Sequence, residues 1–334
     1  MKKRVIIDCD PGIDDSLALM YALSAPELEV VGITVVCGNV PTDMGVENAR
    51  RVCRLMGRQD IPVYAGAGAP LSRPLVTAQD THGMDGLGET HIPEVTEEEW
   101  PHARFSERTE AGGFHVHSDL PDAVAFISKA LSEEKLSVIA IGPLTNIAMA
   151  LQYKPQIGEN VGRFVSMGGN FKSFGNCSPV AEFNYWVDPE AARYVFEHME
   201  CPVEMVGLDV TRRIVLTPEM IRGLELLGDP KADFIVKITR FYVDFHKKQE
   251  GIDGCVINDP LAVGYFINSD LCKGIDVYTT VETKGLSVGQ TIVDEKGFWK
   301  KKANSRVLTR VDSPRFMRQF MSALFGSRGE AVLR

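Results

Sequence analysis

Apolar residues along this chain follow two alternating spacings. Short unbroken runs, "RVIID" (4–8), "EVVGITVVCGN" (29–39), "IPVYAG" (61–66), "LSVIAIGP" (136–143) and "GRFVSMGG" (162–169), have the length and β-branched content of buried strands. Between them, "DDSLALMYALSA" (14–25), "TDMGVENARRVCRLMG" (42–57), "LPDAVAFISKALSE" (120–133) and "LTNIAMALQY" (144–153) repeat their apolar positions at helical spacing. "DPEAARYVFEHM", "CPVEMVGLDV" and "TPEMIRGLELLG" continue the alternation to residue 228. Strand–helix units in series predict an α/β fold: an open, mostly parallel, Rossmann-like sheet with helices on both faces. The segment "GLSVGQTIVDEKGFWKKKANSRVLTRVD" (285–312) predicts strands and turns, a C-terminal antiparallel addition, and "SPRFMRQFMSALFG" (313–326) a closing amphipathic helix.

The rhythm breaks over residues 80–119, a polar stretch containing "TEEEW" and "GGFHVHSD". A loop this long is usually functional or mobile, so it is expected to be an insertion or lid within one domain spanning 1–334. The "HVH" of 115–117 is read as part of that polar loop rather than as a paired imidazole site.

Composition narrows the picture mainly by exclusion. The net charge is −9 and positive charge occurs only in short pieces such as "KKR" and "KKK", so a nucleic-acid backbone is not the expected partner. Seven cysteines are scattered without a CxxC pair, which fits a reducing cytoplasm better than a disulfide framework. Only three apolar residues (5–7) follow the basic start, too few for a signal peptide, and no apolar run approaches the ~20 residues of a membrane span.

The candidate chemistry sits where the first strand ends. "DCDPGIDD" places Asp8, Asp10, Asp14 and Asp15 within eight residues. In open α/β sheets ligands bind beyond the carboxyl ends of the strands. Asp14 and Asp15 would open the first helix, where the macrodipole favours negative charge, but a dipole alone does not balance four carboxylates. Adjacent helical positions point about 100° apart, so Asp15 is expected to face a cation and Asp14 something beside it. Gly12 is expected to permit the tight turn that brings these side chains back toward Asp10. Oxygen-only donors select Ca²⁺ or Mg²⁺ over zinc. A phosphotransferase with Asp8 as nucleophile is the rival, but "PGIDD" adds acids where its phosphate would sit.

These residues resemble the signature of the calcium-dependent, inosine–uridine-preferring nucleoside hydrolases. The likeness extends in order through "THGMDGLGE" (81–89), "IGPLTNIAMAL" (141–151), "MGGNF…GN…VAEFNYWVDPEAA" (167–192), "NDPLAV" (258–263) and "GQTIVD" (289–294), nearly the whole chain. It implies hydrolysis of the N-glycosidic bond of ribonucleosides to ribose and free base, in purine or pyrimidine salvage, by a homodimer or homotetramer. Asp10, Asp15 and Asp259 are implied as carboxylate ligands of Ca²⁺, with Thr145 giving a backbone carbonyl. The ribose diol and a water would complete the shell, and Asp14 would be the general base that activates that water. Asn39 is implied near the metal and Asp8 behind it. Asn176, Glu182 and Asn184 are implied to hold the ribose, Met167 and Phe183 to wall it, and His82 to line the base pocket. Glu182 and Asn184 would share one face if their segment is extended.

One departure bears on the leaving base. Many members of the family it resembles carry His before the last ligand aspartate; here that residue is Asn258, and an amide is no general acid. His246, on "RFYVDFHKKQ", His82 and Tyr242 are the candidates for its role. The alternatives are a catalytically weak nucleoside-binding protein of the same fold, and a hydrolase of another N-riboside such as nicotinamide riboside.

Overall fold

The computed structural model describes residues 2–102 and 120–333. The first half runs β1 (Lys3–Cys9), α1 (Ile13–Ser24), β2 (Leu28–Val35), α2 (Thr42–Leu55), β3 (Val63–Ala65), α3 (Gln79–His82), α4 (Asp122–Glu133), β4 (Leu136–Ala140), α5 (Thr145–Tyr153) and β5 (Val161–Met167). It continues with α6 (Phe183–Val187), α7 (Pro189–His198), β6 (Val203–Val206), α8 (Leu208–Thr211), β7 (Val215–Leu216), α9 (Pro218–Glu225), α10 (Pro230–Gln249) and β8 (Cys255–Val256). The chain then forms α11 (Asp259–Ile267), β9 (Cys272–Val281), β10 (Thr291–Asp294), β11 (Ser305–Val311), α12 (Ser313–Phe325) and α13 (Ser327–Ala331).

Nine strands form one sheet in the order β10-β9-β11-β6-β5-β4-β1-β2-β3, and β7 and β8 pair separately. From β11 to β3 every neighbouring pair is parallel. The antiparallel part is β9 against β11 and β10 against β9, so β11 returns to the parallel direction beside β6. β1 lies between β2 and β4, the point where the winding reverses and a crevice opens at the strand ends.

The apolar runs read as strands because both sheet faces are covered. Val5, Ile6 and Ile7 are all fully buried, but they alternate in direction. Val5, Ile7, Ile139 and Val165 pack with Leu17, Ile235, Leu261 and Phe316 from α1, α10, α11 and α12. Ile6, Val138 and Phe164 pack on the other face with Val124, Ile147 and Val195 from α4, α5 and α7. Asp-Pro pairs start two of these helices: Asp188 accepts from Ala191 N, and Asp229 accepts from Lys231 N, each with proline at the first helical position.

The start of the polar stretch packs on this body. His82, Leu87, Val95 and Trp100 are buried, and Arg54 donates to the carbonyls of Pro93 and Glu94. Residues 103–119, with "HVH", lie outside the described residues. Among the described residues no helix is long and apolar enough to cross a membrane.

Phe164 fills the α4/α5/α7 face without exposure, so Phe164→Ala is expected to lower unfolding free energy by about 3–5 kcal/mol. Urea denaturation monitored by circular dichroism measures it; a loss below about 1 kcal/mol would mean that this face is not close-packed.

Candidate active site

A cavity of about 560 Å³ opens at the carboxyl ends of the central strands. Its wall takes Asp14 from α1, Asn39 after β2, Ile141 after β4, Met167 at the end of β5, and Asn258 and Asp259 at the start of α11. Parallel strands deliver these residues to one edge although they are far apart in sequence.

The acids converge there. Carboxylate oxygens of Asp14, Asp15 and Asp259 all lie within 4.8 Å of one another, and all three residues are buried. Although their positions point about 100° apart along α1, Asp14 and Asp15 each bring a carboxylate oxygen into this group. Asp10 stands outside that trio, tied to Asp15 through its backbone amide. Backbone amides hold the cluster in place. Asp10 N and Gly12 N donate to Asp15 (3.1 Å each), Asn39 N donates to Asp10 Oδ2 (2.7 Å), and Asn39 Nδ2 donates to Asp15 Oδ2 (2.9 Å). Behind them Asp8 Oδ1 accepts from Thr34 Oγ1 (2.5 Å) and Asn146 Nδ2 (2.9 Å).

Burial makes these charges costly. Desolvation raises Asp15 to about 7, with the Asp14 charge adding to it, and raises Asp8 to about 7. Desolvation, then the neighbouring acids, push Asp10 and Asp259 well above the carboxylate range. The donor set suits a hard divalent cation: every candidate ligand is an oxygen, and Asp10 Oδ1 is buried with no hydrogen-bond partner. A Cβ at Gly142 would stand 2.6 Å from that oxygen, so only glycine lets the β4 loop approach it. Gly12 differs from expectation. Its φ of −97° is open to any residue, and the constraint is space, since a Cβ there would meet His82 Nδ1 at 2.6 Å.

Asp14 is held by one oxygen. Its Oδ2 accepts from Tyr242 Oη (3.2 Å), Asn258 N (3.2 Å) and Asn258 Nδ2 (3.1 Å). Among the described residues its Oδ1 makes no hydrogen bond. Asn258 therefore turns its amide nitrogen to Asp14, and its Oδ1 is buried without a partner. The Tyr242 ring packs against His82 (centroids 5.2 Å apart) and His246 (4.4 Å). Both imidazoles are buried, and desolvation lowers the pKa of each. His82 Nδ1 accepts from Ile13 N (3.1 Å), which leaves the ring proton on Nε2. His246 Nδ1 donates to the Tyr242 carbonyl (2.9 Å), which leaves its Nε2 an acceptor.

The opposite wall is polar. Glu182 caps α6, accepting from Asn184 N (2.8 Å), Tyr185 N (3.2 Å) and Gly169 N (2.7 Å), while burial raises it to about 7. Only Glu182 is extended; Asn184 already lies in the first turn of α6, so the two do not form the expected strand face. Asn184 Nδ2 donates to the carbonyls of Ile141 (2.9 Å) and Met167 (3.2 Å), and Asn176 Oδ1 accepts from Phe183 N (2.9 Å).

The structure thus brings Asp14, Asn39, His82, Met167, Asn176, Glu182, Phe183, Asn184, Tyr242, His246, Asn258 and Asp259 to one cavity, with Asp10 and Asp15 beneath it. Thr145 does not reach it. Its hydroxyl donates to Asp188 Oδ2 (2.7 Å), and the β4-loop residue on the wall is Ile141. Ile141 and Arg212 also line the cavity, and no local spacing singles them out; Trp186, an aromatic that the sequence offers as a stacking surface, lines it too.

Comparisons with known proteins point to one family. Residues 5–318 match the family described as inosine-uridine preferring nucleoside hydrolase. The pyrimidine-specific ribonucleoside hydrolase RihA of Citrobacter koseri is 35% identical over 321 residues, covering 95% of this chain and 96% of that protein. Among solved structures, a purine-preferring ribonucleoside hydrolase from Gardnerella vaginalis superposes with a TM-score of 0.85 at 31% identity, over 98% of this chain and 100% of that one. The plant nucleoside hydrolase PpNRh1 gives 0.85 at 28% identity, over 97% and 99%.

The raised carboxyls set the sign of a pH test. The folded, cation-free protein binds protons that the unfolded chain has released, so stability falls as pH rises from 3.8, the ordinary aspartate value, towards about 7. A cation displaces those protons, so the Tm increase on adding Ca²⁺ is expected to be larger at pH 8 than at pH 5. Asp259→Asn removes one like charge; it is expected to raise the cation-free Tm by a few degrees and to abolish the Ca²⁺ response. Scanning calorimetry of chelator-treated protein measures both, and an unchanged Ca²⁺ response in Asp259→Asn would sink the site.

Proposed function

The chain belongs to the inosine-uridine preferring nucleoside hydrolases and is a ribonucleoside hydrolase, and we propose that it works through Asp14 as general base beside one Ca²⁺. The family is metal-dependent. Asp10, Asp15 and Asp259 would hold the ion, joined by a main-chain carbonyl of the β4 loop. The wall position of Ile141 supports Ile141 rather than Thr145 as its source. The observation that carries the reading is Asp14: three donors fix its Oδ2, its Oδ1 makes no hydrogen bond among the described residues, and the carboxylate stands within 4.8 Å of those of Asp15 and Asp259. When bound, the cation would orient the ribose diol and lower the pKa of a nearby water.

The chain's own groups account for the rest. Asp14 Oδ1 takes the proton of the water that attacks C1′, while Tyr242 and Asn258 keep the carboxylate from rotating. N-ribosidic cleavage passes through an oxocarbenium-like state, and the acids around the sugar stabilise its positive charge. Asn176, Glu182 and Asn184 hold the ribose, with Met167 and Phe183 walling it. Asn39 braces Asp15 and Asp10. A substrate lacking a sugar hydroxyl leaves buried partners unpaired.

At the base end, Asn258 serves Asp14 and is no acid. Neutral His246 offers an acceptor, and His82 Nε2–H is the donor available to polarise a departing base. The named relatives include both a pyrimidine-specific and a purine-preferring enzyme, so the base preference lies in these side chains and not in the fold. Nucleoside salvage in the cytoplasm, by a homodimer or homotetramer, is the setting this reading implies.

With Ca²⁺ and a panel of ribonucleosides, reducing-sugar release is expected for uridine or inosine. Asp14→Asn is expected to lower kcat about 100- to 10,000-fold while Ca²⁺ still raises its Tm. The 2′-deoxy analogue is expected to react about 10,000-fold more slowly. No ribose release from any riboside, with nucleoside binding intact, would instead make this a binding protein.

A further inference from the structure

The segment 170–182 carries Asn176 and Glu182 to the cavity, and its first half is gripped from outside by a short helix. Asp209, in α8, takes three consecutive backbone amides: Phe171 N (2.6 Å), Lys172 N (2.8 Å) and Ser173 N (3.1 Å). Three residues later Arg212 takes the groups that follow. Its Nη1 donates to Ser173 Oγ (3.1 Å) and the Phe174 carbonyl (3.0 Å), and its Nη2 to the Gly175 carbonyl (3.0 Å). The next residue is Asn176. Phe174 stacks on the guanidinium, 3.7 Å from ring centroid to carbon, and Nη2 stands 3.8 Å from Glu250 Oε2 at the end of α10.

An acid gathering amides and an arginine gathering carbonyls, spaced (i, i+3), meet the loop with opposite polarity. The guanidinium fork suits adjacent acceptors as an ammonium does not. Arg212 is the one permanent cation among the described residues lining the cavity, yet both terminal nitrogens are committed to the loop and to Glu250. That leaves Asn176 preset: Oδ1 accepts from Phe183 N, and Nδ2 remains to donate. Glu250 extends the hold to α10, which carries Tyr242 and His246.

We infer that Asp209 and Arg212 form a clamp that presets the sugar-end loop, with Arg212 a positioning residue acting through Asn176. The inference rests on the ribonucleoside reading above. It assigns Arg212 no contact with the reacting atoms and no role as a receptor for a substrate phosphate.

The test is a double-mutant cycle on the full chain with Ca²⁺, comparing Arg212→Ala, Asn176→Ala and the double variant. The readouts are KM and kcat for uridine and inosine, and calorimetric affinity for uridine, which needs no turnover. Arg212→Ala is expected to raise KM and weaken affinity about tenfold with a smaller change in kcat. The double variant is expected to be no worse than Asn176→Ala alone. Should Arg212→Ala fail to fold, Arg212→Lys, which keeps the charge and loses the fork, carries the same comparison. Effects that multiply in the double variant overturn the inference. So does a loss confined to kcat, an Arg212 variant indistinguishable from wild type, or uridine 5′-monophosphate binding that depends on Arg212. Absence of turnover by the wild type would overturn the hydrolase reading alone, while the affinities would still judge the clamp.

Discussion

The structure depends on bringing like charges together out of water. Asp10, Asp14 and Asp15 leave β1 and enter α1, and Asp259 joins them from the start of α11. Desolvated carboxylates at this spacing repel, and their raised pKa values register that repulsion. What holds them is rigid backbone. Amides of Asp10, Gly12 and Asn39, set by the sheet and the first turn of α1, donate to the carboxylates. The cluster is therefore preorganised for a positive partner.

Around that centre the two ends of the cavity are supported differently. The Glu182 end is built from capping and clamping: Glu182 caps α6 with both oxygens, and the loop before it is gripped by α8. The His246 end is built from one long helix. α10 places Tyr242 and His246 one turn apart, so a single element supplies the group that steadies Asp14 and the imidazole beside it. His82 arrives from α3 and is locked by the Ile13 amide at the start of α1. This division is consistent with relatives that share the fold while their names record different base preferences.

Asn258 shows how a local change is absorbed. Where the family pattern places a histidine, the amide here braces Asp14 with its side chain as well as its backbone. Beside it stand His82 and His246, whose tautomers are set by a backbone amide and a backbone carbonyl. Neutral rings with assigned donor and acceptor edges can read a base by hydrogen bonding without first being charged.

Much of this was legible in the chain alone. Unbroken apolar runs marked β1, β2, β4 and β5 because a parallel strand is buried on both faces, and four aspartates after the first run marked the site because nothing local could neutralise them. The ten-residue β9 is harder to read, because its residues alternate between buried and half-exposed at the sheet's antiparallel margin. The tertiary structure decided what periodicity does not encode. It set Asp14 in the same cluster as Asp15, Ile141 and not Thr145 on the wall, Glu182 as a cap, and Arg212 across the loop. Each depends on contacts between residues distant in sequence, and a pattern of spacings carries no information about which distant groups will share a hydrogen bond.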